Sequence, residues 1–103
     1  MSNTELAGGG PVTPDHRDID PATGQQKGYV VLTAGERAKG FVRPARSSYV
    51  HSTCGAVTRM GPSIAETYAR DPKFYSGTFC ATCRNHFPLD QFKWDGTDEV
   101  VGS

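Results

Sequence analysis

Five residues of the types that ligate metals lie in two short stretches of this sequence. The stretch GTFCATCRNHF places Cys80 and Cys83 three positions apart, and His86 follows three positions later. Upstream, the stretch YVHSTCGAV places His51 and Cys54 at the same spacing. Two side chains with this spacing can converge on one ion across a tight turn, and zinc favours a combination of thiolate and imidazole ligands. The sequence therefore predicts a zinc site with one candidate ligand to spare.

Two ligand sets are compatible with these spacings. The first joins the two spaced pairs as H-x2-C-x25-C-x2-C, with the ligands His51, Cys54, Cys80 and Cys83. In the second set, His86 replaces His51. We favour the first set because each turn then supplies two ligands, and because the glycine directly after Cys54 can adopt a positive φ without steric cost. His86 is then a neighbour of the site or part of a surface.

Either ligand set supplies the four protein ligands that a structural tetrahedral zinc takes. A catalytic zinc needs three ligands and an open position for water. The sequence contains neither H-E-x-x-H nor H-x-E followed by P-C-x-x-C, which are the motifs of zinc metalloproteases and zinc deaminases. The residues Asn85 and His86 offer no convincing catalytic pair for a nuclease. We therefore expect one structural Zn²⁺ and no enzymatic activity.

The composition explains why a small domain of this kind would need a metal. The chain has 103 residues, and its first 27 are rich in Gly, Pro and polar side chains, which predicts a disordered N-terminal tail over 1–27. The remaining sequence predicts one domain over 28–97 and a flexible C-terminus over 98–103. A domain of this size buries only roughly 60% of its unfolded surface and often needs a metal or disulfides. Three cysteines are an odd number, which disfavours a closed disulfide framework.

The segments around the candidate ligands predict a small α+β domain. The stretches GYVVLT at 28–33 and GAVTRM at 55–60 have the β-branched content of strands. The pattern Ser63-x-x-Glu66 is a capping box that predicts one short helix near 63–70, and the Asp-Pro pair at 71–72 disfavours its continuation. The predicted domain thus consists of β-hairpins with two zinc knuckles and one short helix.

Two paired knuckles separated by a hairpin and a linker resemble the zinc-ribbon class, with His51 where many ribbons have a cysteine. The string CATCRNHFPLDQFKW also resembles a C-x-x-C knuckle followed by a Pro-Leu-x-x-Phe turn, found in small zinc-finger proteins of phages and prophages. More broadly, residues 40–103 are similar to uncharacterised small zinc-binding proteins common in phage genomes. The resemblance implies the first ligand set and a phage or prophage origin, and it implies no activity.

We favour the function of a protein-interaction adapter, a monomeric zinc module that presents loops and aromatic side chains to another protein. Aromatic residues and arginine are typical anchors of interfaces. Trp94 lies between Lys93 and Asp95 near the end of the chain, so we expect it to be partly exposed. The sequence has no run approaching the ~20 apolar residues of a membrane span, and we expect the protein in the cytoplasm.

The alternative function is that of a nucleic-acid-binding zinc ribbon. The region 37–59 is basic, and arginines beside an aromatic ring could contact phosphates and stack on a base. The candidate contacts in this region are Arg43, Arg46, Tyr49 and Arg59. The chain as a whole has no net charge, whereas a nucleic-acid-binding domain commonly has a strongly basic surface.

Overall fold

Small antiparallel sheets and two helices form the part of the chain described by the computed structural model, residues 3–102. The elements are β1 (Thr4–Leu6), β2 (Val30–Leu32), α1 (Ala34–Arg37), β3 (Ser48–His51), β4 (Val57–Arg59), α2 (Pro62–Arg70), β5 (Gly77–Cys80), β6 (Asn85–Pro88), a 3-10 turn (Leu89–Gln91) and β7 (Phe92–Trp94). The predicted small α+β class is confirmed. None of the helices within residues 3–102 is long and apolar enough to cross a membrane.

Two hairpins dominate the architecture and carry the candidate ligands at their turns. The first hairpin, β3–β4, is extended by β7 into a three-stranded sheet with the order β4-β3-β7. The second hairpin, β5–β6, forms its own two-stranded sheet. Another two-stranded sheet joins β1 to β2. The predicted strands at 28–33 and 55–60 correspond to β2 and β4.

An aromatic core lies between the three-stranded sheet and α2. Its buried members are Tyr49, Tyr68, Cys80, Phe92, Trp94 and Val101. Tyr49 meets the rings of both Phe92 and Trp94 edge to face, at centroid distances of 5.4 and 6.4 Å. Such pairs contribute about 0.5–1.5 kcal/mol each beyond the burial of their area. The core is therefore built from directional ring contacts as well as from apolar burial.

The expected exposure of Trp94 is wrong, because its side chain is only 3% accessible. Trp94 lies on β7 directly opposite Tyr49 of β3, and cross-strand partners point to the same face of a sheet. Tyr49 is also buried, and its hydroxyl donates a hydrogen bond to the backbone carbonyl of Phe79. Both rings are thus core residues and are not available as surface contacts.

The main helix, α2, lies where the sequence predicts it, but it begins differently. Pro62 occupies the first turn after an extended Gly61, and no side chain caps the helix. Proline suits this position because its missing N–H would have no partner within the helix. The predicted capping box is wrong: the Ser63 hydroxyl donates to the Ala7 carbonyl at 3.3 Å, and Glu66 pairs with Arg37. The short helix α1 lies in a segment for which no helix is predicted from the sequence.

The N-terminal segment, for which the sequence predicts a disordered tail over 1–27, contacts the domain at several points. Strand β1 pairs with β2 in the register Glu5↔Val31, and the Glu5 carboxylate lies 3.7 Å from the guanidinium of Arg37. Further along, Ile19 forms a bridge with Gln26. These contacts rely on backbone hydrogen bonds and charge, so they require few apolar side chains. The first two residues of the predicted tail lie outside the described chain.

The residues after β7 include most of the segment 98–103, for which the sequence predicts a flexible terminus. Val101 is 1% exposed and belongs to the aromatic core. Its N–H donates to the Phe92 carbonyl at 3.0 Å, and Val100 forms a bridge with Lys93. The chain turns back after β7 and covers the core. Residue 103 lies outside the described chain.

The substitution Gly24→Ala tests whether the N-terminal segment packs on the second hairpin. Gly24 has φ of +78°, and an added Cβ would overlap the backbone carbonyl oxygen of Arg84. We expect the substitution to lower the free energy of unfolding by about 1–3 kcal/mol in urea denaturation of the metal-loaded protein.

Substitutions of two other glycines are controls that distinguish the effect of steric overlap from the effect of backbone strain. Gly9 has φ of +94° with nothing near its Cβ position, whereas Gly8 has neither constraint. We expect Gly9→Ala to have a smaller effect than Gly24→Ala, and Gly8→Ala to have almost none. Equal stability of all three variants would show that the segment does not pack as described.

Candidate metal centre

Four candidate ligand atoms come together where the turns of the two long hairpins meet. They belong to His51, Cys54, Cys80 and Cys83, and all lie within 4.8 Å of one another. The sulfurs of Cys54 and Cys80 are 3.6 Å apart, far beyond the ~2.05 Å of a disulfide bond. A cluster of this kind could hold one metal ion. The structure thus brings together the four residues of the first ligand set.

The two turns have the same backbone geometry although they differ in sequence. In the first, the N–H of Gly55 donates to the His51 carbonyl at 2.7 Å, and in the second, the N–H of Arg84 donates to the Cys80 carbonyl at 2.8 Å. Gly55 and Arg84 both have positive φ, +74° and +54°. Each turn therefore reverses the chain directly after its second ligand. Arg84 adopts a conformation that a side chain disfavours, which the sequence does not indicate.

Each turn supplies one buried and one exposed candidate ligand. His51 and Cys80 end their strands and are 1% and 0% accessible. Cys54 and Cys83 lie in the turns themselves and are exposed. A metal bound here would be attached to the core on one side and would tie down two surface turns on the other.

The ring of His51 is held in place by two aromatic rings and one side-chain amide. It stacks on Phe87 at 4.5 Å and on Phe92 at 4.7 Å, with interplanar angles of 30° and 25°. Its Nε2 lies 2.9 Å from the Oε1 of Gln91, an arrangement in which Nε2–H donates to the amide oxygen. The proton is then on Nε2, and the lone pair of Nδ1 is directed toward the Cys83 sulfur at 3.7 Å. Orientation of a ligating histidine by such a partner is typical of metal sites.

The electrostatics of the thiols favour a cation among them. Burial raises the pKa of the Cys80 thiol, but hydrogen bonds from the backbone of Cys83 and from the neighbouring thiols outweigh it, and the pKa falls to about 7. Desolvation and hydrogen bonds with the thiols of Cys80 and Cys54 raise the pKa of Cys83 to about 11. The thiols therefore would not all ionise near neutral pH without a positive charge between them.

His86, the alternative ligand, lies outside this cluster. Its Nε2 is 2.8 Å from the Tyr29 hydroxyl, and its ring lies 5.3 Å from that of Phe79. The Tyr29 hydroxyl accepts a hydrogen bond from the Gln26 N–H at 3.3 Å, so its own proton is available to His86. Burial lowers the pKa of His86, which agrees with a neutral ring that accepts this proton.

The arginines of the basic region have different surroundings. Arg46 lies 4.8 Å above the Trp94 ring and pairs with Glu99 at 2.8 Å. Arg43 is exposed, and its guanidinium donates to the neighbouring Val42 carbonyl at 3.0 Å. Arg59 is exposed on the outer strand β4. Tyr49 is buried, so its ring is not available to stack on a base.

Sequence reasoning missed the residues that support the site rather than those that could bind the metal. Gln91 is 40 positions from His51, and Phe87 and Phe92 resemble ordinary core residues in sequence. No spacing rule connects them to a ligand, because Gln91 and Phe92 approach His51 through the pairing of β7 with β3, and Phe87 lies on the separate hairpin β5–β6. Comparison with family models, curated proteins and solved structures finds no match to this chain.

Replacement of Gln91 tests the orientation of His51. We expect Gln91→Ala to weaken metal binding roughly 10- to 100-fold, because the amide oxygen that orients the ring and fixes its proton on Nε2 is lost. The measurement is a competition titration with a chromophoric chelator. The neighbouring substitution Asp90→Ala is the control, since Asp90 is exposed. Equal affinities of the two variants would contradict the orienting role of Gln91.

Proposed function

We propose that this chain is a non-enzymatic zinc module in which one structural Zn²⁺ fastens two hairpins together. The observation that carries the proposal is the closed set of four convergent ligand atoms. Three thiols and one imidazole are a ligand combination found in structural zinc sites. Four protein ligands complete a tetrahedral shell, so no position remains for a catalytic water.

The separations between ligand atoms support zinc in particular. Zn–S bonds of about 2.3 Å and a Zn–N bond of about 2.0–2.1 Å in a tetrahedron place sulfurs about 3.8 Å apart, and sulfur and nitrogen about 3.6 Å apart. The sulfurs of Cys54 and Cys80 are 3.6 Å apart, and the Cys83 sulfur lies 3.7 Å from the His51 Nδ1. These two separations match a tetrahedral zinc, whereas the widest separations in the cluster, which reach up to 4.8 Å, would shorten on binding.

The resemblance to the zinc-ribbon class is supported by the matched turns. Each turn ends one strand with a ligand, places the second ligand three positions later, and reverses at a residue with positive φ. The three-stranded sheet β4-β3-β7 carries the first turn, and the hairpin β5–β6 carries the second. We propose a zinc-ribbon-like fold on this basis. The phage or prophage origin stays a prediction from the resemblance alone.

Metal analysis with matched histidine variants tests the ligand set. We expect about one zinc per folded chain, and we expect chelator treatment to abolish the cooperative unfolding transition because metal binding is coupled to folding. His51→Ala should lose the metal, whereas His86→Ala should retain it. Cobalt substitution provides an independent readout, since a tetrahedral thiolate site gives an intense visible spectrum that His51→Ala would alter. Loss of metal in His86→Ala with retention in His51→Ala would overturn the proposal.

As the role of this module we propose protein binding, through the loop that precedes β3. Phe41 and Val42 are 47% and 57% exposed, and among the exposed large apolar residues of the described chain they are the two that are adjacent in sequence. The loop is not loose, because the N–H groups of Val42 and Arg43 both donate to the Ala69 carbonyl at the end of α2, at 2.8 and 3.1 Å. An anchored apolar pair beside an arginine has the composition of an interface anchor.

The alternative function of nucleic-acid binding has less support. Several charges of the basic region are neutralised within the chain: Arg37 pairs with Glu66, Lys39 with Glu36, and Arg46 with Glu99. Tyr49, the ring proposed to stack on a base, is buried. Phosphate contacts would have to compete with these internal pairs, which lowers the affinity that they could contribute.

Substitutions in the exposed loop test the adapter role. We expect the zinc-loaded chain to retain a specific protein from its native host, and Phe41→Ser and Val42→Ser each to weaken the purified complex about tenfold or more. Val57→Ser is the matched control, because Val57 is 52% exposed on β4 outside the loop. Wild-type affinity of the loop variants would place the interface elsewhere, and the absence of any retained protein would contradict the role itself.

A further inference from the structure

A cleft of about 410 Å³ opens between the N-terminal segment and the residues that lead into β5. It lies outside the metal cluster and outside the exposed loop of the proposed interface. The side chains that give it chemical character are His16, Arg17, Tyr29, Phe74, Tyr75 and His86. The volume is within the range of small-molecule sites.

The charge of the cleft comes from Arg17. None of the residues that line the cleft is acidic, and none of the ion pairs found within residues 3–102 involves Arg17. The neighbouring carboxylate of Asp15 lies 4.0 Å from the ammonium of Lys27. An arginine that is unpaired within the described chain at the rim of a concave site is a ready partner for a carboxylate or a phosphate, which it can bind with two parallel hydrogen bonds.

The walls of the cleft are aromatic, and ring contacts and hydrogen bonds within the chain hold their side chains in place. The rings of Phe74 and Tyr75 meet edge to face at a centroid distance of 4.8 Å, and the Tyr75 hydroxyl donates to the Val30 carbonyl. The Tyr29 hydroxyl, which also lines the cleft, lies between the Gln26 N–H and the Nε2 of His86. Because contacts within the chain fix these aromatic side chains, binding would cost little ordering of side chains.

We propose that this cleft binds a small organic anion with a planar apolar body. Arg17 would bind the carboxylate or phosphate group, and the aromatic side chains would cover the apolar body. His86, a residue of ligand type that the metal cluster does not use, would serve as part of the wall. This site does not depend on the adapter role, because it shares no residue with the exposed loop at 41–42.

An NMR titration of the zinc-loaded full chain tests this site. The probes are phenyl phosphate, phenylacetate, inorganic phosphate and the neutral benzyl alcohol. We expect saturable shifts of the backbone amides of Ser76, Gly77 and His86 with at least one of the two aromatic anions, and weaker binding of inorganic phosphate and of benzyl alcohol. The tighter of the two aromatic anions identifies the preferred charged group. A lack of saturation with both of them, or equal binding of benzyl alcohol, would overturn the proposal.

Charge variants test the role of Arg17. We expect Arg17→Gln to weaken the tighter probe about tenfold, as expected for loss of a charge-assisted contact, and Arg17→Lys to retain part of the affinity. The control is Arg43→Gln, which removes the same charge from an exposed residue that does not line this cleft. Since Arg17 is also exposed, both variants should remain folded, as their amide spectra would show. Unchanged affinity in Arg17→Gln would overturn the proposal.

Discussion

The rest of this structure depends on one constraint, the meeting of the turns His51–Gly55 and Cys80–Arg84 at one point. Each reversal contributes a ligand at the end of a strand and a second ligand in the turn. The strand-end ligands, His51 and Cys80, are buried, and Cys80 is itself a member of the aromatic core. The candidate metal centre and the core are therefore continuous. Changes in ring packing around His51 would alter the positions of the candidate ligands, and a metal bound between them would also hold the core together.

The small core is also covered by the two ends of the described chain, which contribute little apolar area. The N-terminal segment joins the second hairpin through Gly24, packed on the Arg84 carbonyl, and through the hydrogen bond between Tyr29 and His86. At the other end of the chain, Val101 closes the aromatic core. These contacts use backbone groups, single hydrogen bonds and one valine. Composition alone predicts disorder for both ends because it counts apolar side chains and not such local complementarity.

The features that the sequence predicted correctly depend on residues close to one another in the chain. Spacing narrowed the candidate ligands to two sets, and the glycine after Cys54 favoured the set that clusters, since the geometry of each turn involves only five consecutive positions. Helix α2 was likewise predicted from local signals, namely a capping box that does not form and the Asp-Pro pair that ends the helix. The burial of Trp94 and the role of Gln91 were not recognisable, because both depend on β7 pairing with β3 across more than 40 positions. A polar neighbourhood in sequence, as around Trp94, says little about burial once a distant strand covers it.

The position of His86 shows how strand pairing selects among residues of the same chemical type. In the second hairpin, His86 is the cross-strand partner of Phe79, and Phe87 is the partner of Thr78. Paired residues share a face of the sheet and successive residues alternate, so His86 points away from the face on which Cys80 enters the metal cluster. Phe87 points toward that face, where it stacks on His51. His86 is therefore excluded from the cluster because side chains alternate between the two faces of a strand and His86 lies on the other face. On that face its side chain lies in the cleft beside Tyr29.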